Sequence, residues 1–174
     1  SATTYPSEPE DMLMVEAEYC RMEKELEDKL SNYAEVYPGY DEYRISGEVL
    51  GHDPYVLASA LSAILGEYTL SDAGAMLNEI FDLQYLVEEK SVTETRYRTE
   101  TRTGYREVTD PETNETILVE YTYEVEVAYD YKICVVALIS KPLESVIDEL
   151  LTDEQRQIYE ILMKTKGNYP DLFN

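Results

Sequence analysis

The run Ile117-Leu118-Val119-Glu120-Tyr121-Thr122-Tyr123-Glu124-Val125-Glu126-Val127-Ala128-Tyr129-Asp130-Tyr131-Lys132-Ile133 decides the fold. Its odd positions are all aliphatic or tyrosine, and that set continues through Val135, Ala137 and Ile139. Its even positions from Glu120 to Lys132 are charged or threonine, apart from Ala128. Side chains alternate faces along a strand, so this is one long strand with an apolar face and a wet face. Upstream, Thr95, Tyr97, Thr99, Thr101, Thr103 and Tyr105 alternate with Glu94, Arg96, Arg98, Glu100 and Arg102. Between the two runs, Asp110-Pro111 and Asn114 supply turn chemistry.

Charge suggests a register for the two arms. If partner numbers sum to 226, Arg106 faces Glu120, Arg102 faces Glu124, Arg96 faces Asp130 and Glu94 faces Lys132. The other face then pairs Tyr105 with Tyr121 and Tyr97 with Tyr129. Such pairs contribute roughly 0.2–1 kcal/mol each, and a one-residue slip would exchange the faces. At ~3.3 Å per residue the arms span on the order of 50 Å. A lone hairpin is marginal in water, so its Tyr/Val face is expected to lie against helices.

The remaining chain reads as those helices. Met12, Val15, Tyr19, Met22, Leu26, Leu30, Tyr33 and Tyr37 form a narrow helical stripe among many acids, ended by Pro38-Gly39, with Glu25 and Lys29 as an i,i+4 pair. That stripe packs on its own domain or forms a seam with a second chain. Tyr40 to Gly51 has no clear period. Asp53 then caps a helix with Pro54 in its first turn, and Val56 to Leu65 is apolar nearly all round, as in a central buried helix. A third helix follows Ser71 as N-cap. Beyond Lys132 the strand becomes apolar on both faces. Pro142 opens a short helix, and Thr152 with Gln155 makes a capping box for a last one.

The expected architecture is therefore α+β, with four to five helices packed around one two-stranded antiparallel ribbon of about residues 91–109 and 117–139. Residues 1–9 read as a tether, 10–166 as a single domain and 167–174 as an exit linker.

Charge and composition exclude some functions. The net charge is −23, and only 91–109 is slightly positive, with four arginines against three glutamates. Phosphate backbones would be repelled, so no nucleic-acid partner is expected. The longest apolar run, Tyr55 to Leu65, is too short to cross a bilayer. Seventeen tyrosines against two phenylalanines and no tryptophan suit a half-buried surface, where rings pack and hydroxyls stay wet.

Chemistry is scarce. His52 is the single histidine, and it reads as part of the turn leading into a helix. Cys20 and Cys134 read as two packed thiols, not a disulfide. Pairing His52 with either thiol has no motif behind it, and one histidine with scattered acids is no recognisable zinc set. Close carboxylate pairs arise by chance among 37 acids. The hairpin turn lacks a calcium-loop pattern, and Asn114-Glu115-Thr116 is a weak glycosylation match. No catalytic, cofactor or metal residue is assigned, and no cofactor is expected. The possible interaction surface is Tyr97, Tyr105, Tyr121, Tyr123 and Tyr129.

Longer patterns add a resemblance. VYPGYDEYRISGEVLGHDPYVLASAL (Val36 to Leu61), Leu77 to Tyr85, RYRTETRTGYREVTDPETNET (Arg96 to Thr116) and the closing GNYPDLF (Gly167 to Phe173) run through nearly the whole chain. They resemble the region before the catalytic module in cell-wall hydrolases of conjugative transposons from Gram-positive bacteria. The resemblance implies a membrane anchor outside this segment, then this extracytoplasmic domain, then an NlpC/P60 or M23 peptidase module. None of those catalytic motifs is present here, so no catalytic residue carries over. The expectation is a non-catalytic interaction or spacer domain that supports peptidoglycan remodelling during conjugative transfer. Its partners would be conjugation-machinery proteins or peptidoglycan, and its oligomeric state is open. The alternatives are a peptidoglycan-cleaving domain with paired carboxylates, or a self-associating structural domain.

Overall fold

A computed structural model describes residues 3–47 and 49–174. In chain order the elements are α1 (Pro9–Ser31), α2 (Tyr33–Val36), β1 (Glu42–Gly47), α3 (Pro54–Leu65), α4 (Leu70–Gln84), β2 (Tyr85–Thr109), β3 (Thr116–Ser140), α5 (Leu143–Leu150), α6 (Asp153–Thr165) and a 3-10 turn over Lys166–Asn168. The class is α+β, as expected. The sheet differs from expectation: among the described residues it has three strands in the order β1-β3-β2, and six α-helices accompany it. The chain divides into two compact units. One holds the helices and strand bases (1–39, 44–89 and 136–174), the other residues 40–43 with the ribbon from Lys90 to Val135.

In the helical unit α3 is the hub. Tyr55 through Ser62 are all buried, because α1, α4, α5 and α6 each pack on it. Asp53 caps it by accepting from the Tyr55 N–H at 2.9 Å, and Gly66 ends it at φ 73°, where a β-carbon would be strained. The cap of α4 lies two residues earlier than Ser71: Thr69 and Asp72 form a reciprocal capping box. Thr152 and Gln155 form the one expected at α6. The α1 stripe buries Met12, Val15 and Tyr19 against its own unit. Further along, Glu23 is buried and Met22 only half-buried. Glu25 pairs with Arg21, and Lys29 lies over the Tyr37 ring, so the expected Glu25–Lys29 pair is not what steadies this turn.

Among the described residues, neither 3–9 nor 167–174 behaves as a tether or linker; residues 1 and 2 of the expected tether lie outside the described residues. The Tyr5 N–H donates to the Gly167 carbonyl at 3.0 Å, its hydroxyl meets Ser59 Oγ at 2.8 Å, and its ring is buried. Ser7 accepts from the Tyr68 N–H, Tyr169 stacks parallel to Tyr5, and Phe173 meets Tyr55 edge-on. The polar, proline-rich composition of 1–9 hid one aromatic anchor, and Gly167 supplies its seat.

The ribbon corrects the register. The Asp110 N–H donates to the Glu115 carbonyl at the turn, and the Lys141 N–H donates to the Gln84 carbonyl at the base. Thr109 and Thr116 hydroxyls meet at 3.3 Å, and a β-carbon on Gly104 would touch the Tyr121 ring. In every case partner numbers sum to 225, not 226. The turn sets this: Asp110 Oδ1 accepts from the Glu112 N–H, and Asn114 takes a left-handed φ of 63°. Even positions of β2 therefore share a face with odd positions of β3. Arg102 stands opposite Tyr123, and Glu124 is on the other face.

What replaces the expected cross-strand ion pairs is arginine over tyrosine. The Arg96 guanidinium sits 3.5 Å from the Tyr131 ring centroid and Arg98 5.4 Å from that of Tyr129. Each such contact is worth about 0.5–2 kcal/mol. The ion pairs run along β2 instead, Arg96 to Glu94 at 3.0 Å and Arg98 to Glu100 at 3.1 Å. On this face Val125, Val127, Tyr129 and Tyr131 are half-buried, the two tyrosines beneath arginine guanidinium groups.

Strand β1, in a stretch without period, flanks the other edge of β3. The Asp41 N–H donates to the Lys132 carbonyl, and Gly47 lies against Leu138, so β1 runs parallel to β3. A β-carbon at Gly47 would stand 2.7 Å from that of Leu138, which explains the glycine.

Two measurements check these points. Thr99→Cys with Glu126→Cys should oxidise readily to a disulfide, whereas Thr99→Cys with Val127→Cys, on opposite faces, should stay reduced. Gly167→Ala, at φ 61° and facing the Tyr5 ring, should cost roughly 2–4 kcal/mol in denaturant unfolding.

Candidate functional site

Two places in the molecule concentrate functional chemistry, one in each unit. The first is a buried polar cluster between α1, α4 and the segment before α3. On α1 the residues Glu16, Tyr19, Cys20 and Glu23 recur at spacings of three and four, so they share one helical face. His52 precedes the capping Asp53 and is aimed at that face. Its side chain is 2% exposed. Nδ1 lies 2.8 Å from Glu23 Oε1 and Nε2 lies 2.7 Å from Glu16 Oε1, so both ring nitrogens meet carboxylates. The Tyr19 ring closes over the imidazole edge-on at 4.8 Å.

A second layer fixes the first. The Tyr85 hydroxyl donates a short hydrogen bond to Glu23 Oε2, and the Gly51 carbonyl lies 3.2 Å from the same oxygen. The Gly51 N–H returns a bond to the same hydroxyl at 2.9 Å. Tyr19 donates to Gln84 Oε1 at 2.6 Å, and Gln84 Nε2 donates to the Gly51 carbonyl at 3.4 Å. Tyr85 and Gln84 occupy the junction where α4 passes into β2 without a loop. The network therefore ties α1, the 51–52 segment and that junction together.

The electrostatics follow from burial and neighbours. Burial pushes the His52 pKa down, but the hydrogen bonds and charges of Glu16 and Glu23 outweigh it and raise the value from 6.5 to about 9. Burial and Glu23 push the Tyr85 hydroxyl upward, and burial drives that of Tyr19 upward as well. Cys20 donates to Glu16 Oε2 at 3.0 Å, and burial and that carboxylate push its thiol up to about 12. Such a thiol is a poor nucleophile. The cluster at neutral pH is thus an imidazolium held between carboxylates, with an inert thiol at its rim. Among the described residues, Glu16, Cys20 and His52 are the ones placed to hold a metal ion, their ligating atoms lying within 4.8 Å of one another.

This changes the reading of His52. Asp53 does open a helix, but the histidine before it belongs to the buried cluster, and it meets a thiol through their shared partner Glu16. The sequence signal was available: Glu16, Cys20 and Glu23 lie on one face of a well-marked helix, and the single histidine precedes a buried one. What hid it was the abundance of acids. Cys134 is buried in β3, and it forms no disulfide with Cys20.

The second place is the ribbon. The five tyrosines singled out above do not share one face. Tyr97 and Tyr105, 65% and 63% exposed, project from one side with Thr95, Thr99, Thr101 and Thr103. Tyr121, Tyr123 and Tyr129 lie on the opposite side among arginines, with Tyr129 half-buried beside Arg98. The first side carries the acids of β3, from Glu120 through Glu124 and Glu126 to Asp130. Toward the turn, Val108, Ile117 and Leu118 are also exposed.

Comparison with family models, curated proteins and solved structures found no match to this chain. No helix among the described residues is long and apolar enough to cross a membrane.

The raised His52 pKa has a sign that can be measured. Its stabilisation is full below the unfolded value near 6.5 and is lost as pH rises through about 9. With a chelator present, the stability difference between the wild type and His52→Gln should be on the order of 3 kcal/mol at about pH 6. That proton-linked part should be lost by about pH 10, leaving only the pH-independent cost of the substitution. Urea unfolding at the two pH values checks this.

Proposed function

We propose that this chain is a non-catalytic interaction and spacing module of a mobile-element cell-wall hydrolase, working outside the membrane. Its Tyr97–Tyr105 column makes contact with peptidoglycan. The observation that carries the reading is that column: two highly exposed tyrosines eight residues apart, with threonine hydroxyls between them on one face. Aromatic faces and spaced hydroxyls suit a glycan strand, whose sugars offer apolar C–H faces and many hydroxyl groups. The neighbouring acids of β3 suit the amino groups of stem peptides. The sequence patterns quoted above support the cell-wall setting.

The chemistry of the buried cluster agrees with a module that does not turn over substrate. The thiol is held protonated and the imidazole is committed to two carboxylates, so neither is poised as nucleophile or base.

The experiment is co-sedimentation of the purified chain with peptidoglycan sacculi from a Gram-positive bacterium, with soluble muropeptides measured in the supernatant. Binding without muropeptide release is the expected result. Tyr97→Ser with Tyr105→Ser should weaken binding at least tenfold, a loss of about 1.4 kcal/mol or more. Muropeptide release that a single acid-to-amide change abolishes would overturn the proposal. So would binding that ignores both tyrosines.

A further inference from the structure

We infer that Glu16, Cys20 and His52 form a binding site for one zinc ion, with Glu23 as the residue that positions the imidazole. The site is separate from the ribbon, and it stands or falls independently of the peptidoglycan reading. Three donors of different chemistry converge: a carboxylate oxygen, a thiol sulfur and an imidazole nitrogen, their ligating atoms within 4.8 Å of one another. Oxygen, sulfur and nitrogen together suit a borderline-soft divalent cation and not calcium or magnesium, which take oxygen ligands.

The second layer is what distinguishes this arrangement from an accidental cluster. Metal-ligating histidines almost always donate their other ring N–H to a carboxylate, a backbone carbonyl or a water, which fixes the tautomer and the ring orientation. Here Nδ1 meets Glu23 Oε1 at 2.8 Å, leaving Nε2 directed at Glu16. Glu23 is itself held by Tyr85, and the imidazole is wedged by Tyr19. The histidine is buried, while Cys20 opens to solvent, so an ion has a way in and a fourth coordination position.

In the metal-free state a proton bridges Nε2 and Glu16, whose oxygen is 2.7 Å away. Tetrahedral zinc with bonds of about 2.0–2.3 Å places its ligand atoms about 3.3 Å apart or more. Admitting it requires the Glu16 oxygen to move out by about half an ångström and the wider gaps in the triad, up to 4.8 Å, to close to about 3.6 Å. Binding would convert the thiol to a thiolate and the imidazolium to neutral imidazole, with two protons released to buffer and Nδ1–H kept on Glu23.

Cobalt(II) titration followed by near-ultraviolet absorption tests the site, with zinc competition for affinity. The expected result is one cobalt per chain, a thiolate-to-cobalt charge-transfer band, and displacement by zinc but not by excess magnesium. Cys20→Ser, a change at an exposed position, should abolish the band while circular dichroism stays unchanged. Glu23→Gln should keep the band and weaken affinity by about 10–100-fold, as loss of an outer partner does. No band with the wild type, or zinc affinity equal in the wild type and Cys20→Ser, would overturn the inference. The latter result would mean cations merely collect on an acidic surface.

Discussion

One imidazole between two carboxylates holds the helical unit in register. Glu16 and Glu23 are two turns apart on α1, and two buried or half-buried carboxylates on one face would repel each other strongly. His52 resolves this by meeting both, and its own charge is tolerated because both neighbours are negative. Removing one member of such a set leaves an uncompensated charge, which is why these groups are far costlier to break singly than their net contribution suggests. The same set decides where the 51–52 segment lies, and so where α3 begins. Since every other large helix packs on α3, a polar contact made by one side chain positions an apolar core.

Tyr85 carries that constraint onward. It is the residue where helix gives way to strand, and its hydroxyl bonds both Glu23 and the Gly51 backbone. Strand β2 thus starts from a fixed point, with the Gln84–Lys141 bond beside it, and the turn at Asp110–Glu115 fixes the far end. With both ends pinned to one register, the residues between have no freedom to seek better charge pairs. Exposed charge pairs were the weaker term, and the arginines settle over tyrosine rings instead.

How much of this could be read in the sequence follows from the same physics. Alternation over Ile117–Ile139 and the Asp110–Glu115 turn gave away the ribbon because period and turn chemistry are local signals. The Asp53 and Thr152 caps were legible for the same reason. The register was not, because 225 and 226 differ by a choice that lies in turn geometry, and charge pairing pointed the other way. Strand β1 escaped because Glu42–Gly47 lacks alternation and owes its place to a glycine that lets Leu138 approach. Tyr5 looked like part of a polar leader, since its partner Gly167 is distant in sequence. His52 was noticed, but its partners were indistinguishable from the many other glutamates until the fold brought them together. The five tyrosines were found as residues and misassigned as a single surface, an error inherited from the register.

The strand order has a further result. Because β1 accompanies β3 only near its base, the outer stretch of the hairpin has hydrogen-bonding backbone along both margins, which is the geometry from which chains stack into fibrils. Nothing in the β2 and β3 backbone itself forbids that; charge does, through a molecule carrying −23. A protein guarded in this way is kept dispersed by electrostatics, so concentrated salt or acid, which silence that repulsion, are the conditions under which its copies would join edge to edge.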